Sequence, residues 1–179
     1  MEITVIREYN YFAFADENGH HLFYATLYGR WIFHNGKKAI YRDLDRKEPL
    51  SIMKWKSRGF FNTSYHEMEI DGRTSAIEHE DGKYFCRHQN DLYEAFMHKG
   101  FCVSIFKNNV QVGMYKRSKK AFLSSEFLTV TVDNGLNPLV ICSMITAYEF
   151  DFTGLEPIYF YMGYSGKELK KADTSWNPK

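Results

Sequence analysis

The stretch that decides the fold is Asn134-Gly-Leu-Asn-Pro138 followed by Leu139-Val-Ile-Cys-Ser-Met-Ile-Thr-Ala-Tyr-Glu-Phe150. Asn137 carries the side chain of an N-cap, whose amide oxygen accepts one of the free N–H groups of a first helical turn. Pro138 then takes the first helical position, where its fixed φ fits and its missing N–H is no loss. The pattern predicts a helix over 138–149. That helix has no polar face: Leu139, Val140, Ile141, Met144, Ile145, Ala147 and Tyr148 go round its circumference, relieved only by Cys142, Ser143 and Thr146. A helix apolar on all sides is buried on all sides. The uncharged run from Asn134 to Tyr148 is fifteen residues long, short of the ~20 that a bilayer span takes. The burial therefore has to come from protein, which points to a helix threaded through the middle of the remaining structure. One more buried strand is the competing reading, because Val, Ile and Thr favour sheet.

Upstream of this stretch the chain alternates. Glycine after Asn or Asp supplies the positive φ of a tight hairpin turn, and it recurs at Asn18-Gly19, Asn35-Gly36, Asp71-Gly72, Asp81-Gly82 and Asn134-Gly135. Lys99-Gly100 and Asn108-Asn109 are weaker relatives. Between the turns lie segments of period two. Phe101, Val103 and Ile105 stand against Cys102 and Ser104, and Val110, Val112 and Met114 against Gln111, Gly113 and Tyr115. Leu128, Val130 and Val132 stand against Thr129 and Thr131, with 22–28 and 65–70 patterned in the same way. About eleven or twelve short strands between residues 3 and 133 predict a meandering antiparallel sandwich or barrel, not a parallel sheet with crossover helices. Residues 1–152 form the barrel and its helix in this reading. Residues 153–179 add a strand or arm around Ile158-Tyr-Phe-Tyr-Met162, then a short amphipathic helix or frayed tail with Trp176 near its end.

Composition fits one domain of 179 residues, with 17% aromatic side chains and 4 Pro, which favours packed sheet over disorder. The 23 basic and 22 acidic residues leave a formal charge of +1, which excludes a globally basic nucleic-acid binder. Cys86, Cys102 and Cys142 are odd in number and lie in apolar segments, the pattern of buried thiols in a reducing compartment. The first residues, Met1-Glu-Ile-Thr-Val-Ile-Arg-Glu8, do not read as a signal peptide. The expectation is a cytoplasmic protein without a transmembrane span.

A β-rich domain that ends in a short, nearly uncharged helix running into Tyr148-Glu-Phe-Asp-Phe152 resembles the tubby C-terminal-like superfamily, and within it the LURP-one-related proteins and the phospholipid scramblases. Lys37-Lys-Ala-Ile-Tyr-Arg-Asp43, the Asp71-Gly72 hairpin and the strand Phe127-Leu-Thr-Val-Thr-Val-Asp133 just before the helix carry the resemblance, which covers residues 2–152. It implies a closed barrel of about twelve antiparallel strands round a central hydrophobic helix, an architecture that hides every sheet edge. For function it implies membrane phospholipids: tubby domains bind phosphoinositide head groups through basic side chains, scramblases act on phospholipids with calcium, and the LURP-one-related members are mostly uncharacterised. The chain departs from scramblases in lacking a Pro-rich or Cys-rich N-terminal extension. Phe152-Thr-Gly-Leu-Glu156, with Glu149 and Asp151, offers only scattered oxygen ligands.

Two basic clusters are the candidate phosphate-binding residues: Lys54, Lys56 and Arg58, and Lys116, Arg117, Lys119 and Lys120. Such clusters hold phosphates by charge-assisted hydrogen bonds. Near an anionic surface each cation contributes ~1 kcal/mol. The same lysines also serve simply to keep a sheet surface solvated. Seven histidines lack metal-site spacing, and His66 and His79 are expected as exposed cross-strand neighbours flanking Asp71-Gly72. Cys86 lies beside Arg87 and His88 but alternates with Tyr84, so it reads as a core thiol. Glu67 and Glu69 share one strand face. There is no Gly-x-Ser-x-Gly elbow and no glycine-rich phosphate loop. The expectation is no enzyme, no cofactor and no metal. An anionic lipid or membrane surface is the first partner, and a protein partner or scaffold role the alternative. A small-molecule-binding barrel ranks third, because a central helix would fill its lumen.

Overall fold

A computed structural model of the chain describes residues 1–8, 11–28, 38–58, 63–70, 72–80, 82–99, 102–117, 126–152 and 169–179. Its elements are β1 (Glu2–Glu8), β2 (Tyr11–Ala15), β3 (His21–Tyr28), β4 (Lys38–Arg42), β5 (Ser51–Arg58), β6 (Thr63–Ile70), β7 (Arg73–Glu80), β8 (Lys83–His88), β9 (Asp91–His98), β10 (Cys102–Lys107), β11 (Val110–Arg117), β12 (Glu126–Val132) and α1 (Pro138–Phe152). Every strand pairs antiparallel with its neighbours in sequence, and β1 pairs with both β2 and β12. The sheet therefore closes into a twelve-stranded barrel with no free edge.

The turns explain why neighbours pair. Gly72 and Gly82 adopt φ of +69° and +78°, and Asn108 and Asn109 reach +50° and +70°, the positive values that two-residue hairpins need, while Gly19 at +80° lies in the longer 16–20 connection between β2 and β3. Asn35-Gly36 lies outside the described residues. Gly135, at φ +76°, does not close a hairpin. It turns the chain from β12 into α1.

The helix begins as its sequence predicts. Leu139 N–H donates to Asn137 Oδ1 at 3.0 Å, and the helix runs to Phe152, three residues beyond the expected end. Every residue from Val140 to Ala147 is buried, none more than 4% exposed. The partners lie on widely separated strands. Tyr148 meets Tyr84 of β8 and Tyr115 of β11 edge-on, with ring centroids 5.7 Å and 6.2 Å apart. Tyr41 of β4 turns its hydroxyl toward Ser143 and Thr146, although Tyr41 and Ser143 do not reach hydrogen-bond geometry. A helix that touches β4, β8 and β11 of one closed ring occupies the axis of the barrel. The Phe and Tyr side chains of the inner wall, including Phe12, Phe14 and Phe23, supply its apolar lining.

Inward and outward positions follow alternation, with one instructive exception. Ile105 pairs with Gly113 but Phe106 pairs with Gln111, so Val112 is an extra residue in β11. A β-bulge of this kind reverses the parity beyond it. Tyr115, expected outside, is 2% exposed in the core, and Met114, expected inside, faces out and is half-buried. The strand β10 also differs from a half-buried strand: Ser104 and Phe106 on its outer side are buried as well. Lys170 lies over Phe106 with its ammonium 3.8 Å from the ring centroid.

That lysine belongs to the C-terminal residues 169–179, which form neither a helix nor a frayed tail. They dock as an extended arm. Asp173 N–H donates to Gln111 Oε1 at 2.8 Å, and Gln111 Nε2 donates back to Asp173 O at 3.3 Å. Lys179 N–H donates to Asp133 Oδ1, and Asn134 N–H to Lys179 O, both at 2.8 Å. The Met1 ammonium donates to Val132 O at 2.9 Å and Asn134 Oδ1 at 3.2 Å. The turn that feeds α1 is thus clasped by both ends of the chain. Ile158-Tyr-Phe-Tyr-Met162 lies outside the described residues. No helix among the described residues is long and apolar enough to cross a membrane.

Candidate functional site

The two basic clusters do not form one site. Lys54 and Lys56 project from β5 and Lys116 from β11, six strands apart in either direction round the twelve-stranded ring. They stand on opposite flanks of the barrel. Lys116 is exposed between Cys102 and Thr129 of the neighbouring strands. Arg58 and Arg117 are the last residues of their strands, and Lys119 and Lys120 lie outside the described residues.

On the β5 flank the register builds a lattice of outward side chains. One row crosses the strands as Tyr28, Lys38, Lys54 and Glu67, each opposite the next. The row below it holds Tyr11, Thr26, Ile40 and Ile52, and a third holds Ala13, Tyr24 and Arg42. Lys38 and Lys54 therefore face each other directly across β4 and β5, both exposed. Like charges directly opposite on a sheet repel. The acid beside Lys54 does not relieve them, because Glu67 accepts from Lys56 Nζ at 2.9 Å. That hydrogen bond raises the pKa of Lys56 above its ordinary value. Lys38 instead lies over the exposed ring of Tyr28, 5.6 Å from its centroid. Among the described residues no carboxylate pairs with Lys38 or Lys54.

The pattern of sign is broader than this pair. Among the described outward positions of β2 to β5 there is no Asp or Glu, and the cations are Lys38, Arg42, Lys54 and Lys56. The outward positions of β6 to β9 reverse this: Glu67, Glu69, Glu78, Glu80 and Glu94 outnumber Lys83 and Arg87. Lys83 itself sits 3.7 Å from Glu94 and 3.8 Å from Glu80. Lys38, Arg42 and Tyr28 were missed as site residues because their shared flank appears only when β3, β4 and β5 are laid in register. In the sequence they are twelve to twenty-six positions from Lys54.

Three histidines and two thiols go into the wall. His66, expected to be exposed, is 2% exposed and points inward between Trp55 and Ile77, while His79 is exposed as expected and pairs with Tyr84. His66 pairs with Ile77, two residues short of His79, so the two histidines are not cross-strand neighbours. His88 is buried with Nδ1 3.0 Å from Ser75 Oγ, and His98 is buried with Nε2 2.6 Å from Ser104 Oγ. Among the described residues no group of three His, Cys, Asp or Glu is placed to hold a metal ion. Burial pushes the Cys86 thiol up to about 12 and Cys142 well above its ordinary range, so neither is a thiolate at neutral pH. Glu67 and Glu69 face outward on one strand, and Glu67 is engaged by Lys56.

An open groove of about 680 Å³ lies at the β4–β5 connection, lined by Arg46, Lys47, Glu48, Leu50, Ser51 and Glu69 among others. It contains none of the predicted basic residues. No family model, no curated protein and no solved structure matches this chain.

Proposed function

We propose that this chain is a non-catalytic, tubby-like barrel that binds anionic phospholipid head groups at a membrane surface. The observation that carries the reading is the exposed Lys38–Lys54 pair, two like charges set face to face with no carboxylate among the described residues paired to either. An arrangement that repels itself in the free protein is relieved by a bound anion, and phosphate accepts several charge-assisted hydrogen bonds at once. Exposed Tyr28 beside the pair adds an amphipathic ring suited to the head-group level. The architecture agrees with what the tubby-like resemblance implies, a twelve-stranded closed barrel round an apolar helix. An α1 that fills the axis speaks against a small-molecule carrier. An arm at 169–179 already docked on its own barrel speaks against a tail that recruits partners.

The test is co-sedimentation with phosphatidylcholine vesicles, with and without phosphoinositide or cardiolipin. The protein should pellet with the anionic vesicles only, and release as salt shortens the Debye length below ~10 Å. Equal pelleting with neutral vesicles, or binding indifferent to salt, would remove the reading.

A further inference from the structure

The geometry points to a side-on posture: the outward flank of β2 to β5 lies against the anionic bilayer through Tyr28, Lys38 and Lys54, and the glutamate-bearing flank of β6 to β9 faces away. This rests on the lipid-binding reading above and names the surface that performs it.

The charge distribution round the ring carries the inference. Going round the barrel from β2 to β5, the described outward side chains are neutral or cationic, and the first acid met is Glu67 on β6. Going on through β9, glutamates dominate. A negatively charged plane attracts the first flank and repels the second, so these two flanks, four strands each of the twelve, exert a turning force of one sense. Acids resume at the lower end of the cationic flank, at Asp43 and Asp45 beyond β4, which tilts the contact toward the end holding Tyr28, Lys38 and Lys54. Tyrosine supplies the second argument. Tyr11 and Tyr24 stack at 5.7 Å and lie in the same outward lattice as Tyr28. Rings with an apolar body and a polar tip are placed well at a head-group boundary and poorly against a purely acidic polypeptide. Lys116, on the opposite flank, cannot reach the same plane as Lys54 when the barrel lies on its side.

Three double variants decide the matter on phosphatidylcholine–phosphatidylserine vesicles, each first confirmed as folded by circular dichroism. Lys38→Gln with Lys54→Gln should lower the partition coefficient about 30-fold, the effect of two surface cations at ~1 kcal/mol each. Lys83→Gln with Arg87→Gln removes the same net charge from the acidic flank and should change it less than about 3-fold. Lys116→Gln with Arg117→Gln should do the same. Equal losses in all three variants, or a loss confined to the last, would overturn the side-on posture while leaving lipid binding in place. Absence of binding by the unaltered protein would remove both. Retention on polyglutamate but not on vesicles would assign the flank to an acidic protein partner and overturn the bilayer.

Discussion

Gly113 of β11 faces Val132 of β12 so closely that a Cβ on the glycine would lie 2.9 Å from Val132 Cγ1. The same carbon would stand 3.2 Å from Thr131 O and 3.3 Å from Ile105 Cβ, two positions held by the strands themselves. A branched side chain and a backbone carbonyl cannot both yield cheaply. Gly113→Ala should destabilise the barrel by about 1–3 kcal/mol through overpacking. Urea unfolding is the measure, and a neutral or stabilising alanine would mean that the β11–β12 seam is looser than its register indicates.

Asn137 caps α1 through Leu139 N–H. Asn137→Ala should cost ~1 kcal/mol, within the ordinary range for loss of an N-cap. Asn137→Ser keeps an acceptor on a short side chain and should recover most of that loss in the same denaturation experiment.

Met144 is 1% exposed on the barrel axis. Met144→Asp buries a carboxylate with no partner and should cost several kcal/mol or abolish folding. Met144→Leu keeps the volume and should cost less than ~1.5 kcal/mol. Far-ultraviolet circular dichroism and gel filtration read both. A folded, monomeric aspartate variant would mean that α1 is not the axis.

Acid should weaken the fold in a defined window. Lys107 Nζ, 2.8 Å away, and Asn108 hold Asp91 below its ordinary 3.8, while His20 N–H does so for Asp16 and Ser175 for Asp173. A carboxyl whose folded pKa is depressed contributes stability that is fully present above the unfolded value. That stability is lost as pH falls through the folded value. Tm should therefore be flat down to about pH 4 and decline below it. Asp91→Asn should lower Tm at neutral pH, and its deficit should shrink on acidification, as scanning calorimetry across that range will show.

Strand number and the helix were legible because each rests on local physics. An Asn-Pro cap before a dozen residues with no polar face, and Gly after Asn or Asp between alternating segments, are instructions carried within a few residues. The inner face of β12, with Leu128, Val130 and Val132 all at 0% exposure, follows directly. The face of β11 does not, since a single extra residue at Val112 exchanges Tyr115 for Met114. His66 turned inward because it shares the face of Met68 and Ile70, both at 0% exposure, an alternation carried within β6 itself.

The candidate site divides in the same way. Lys54 and Lys56 stood out as neighbours in the chain, but Lys38 joins Lys54 only across the β4–β5 ladder. The separation of Lys54 from Lys116 depends on the ring being closed, with six strands on either side. By itself the sequence pointed to eleven or twelve strands in a sandwich or barrel and to a helix with no polar side, because an apolar helix too short for a membrane has to be enclosed by its own chain. Only the tertiary structure decided which cations share a flank, where the glutamates gather and which rings face outward. Those are properties of register and closure, and they exist only once β1 has met β12.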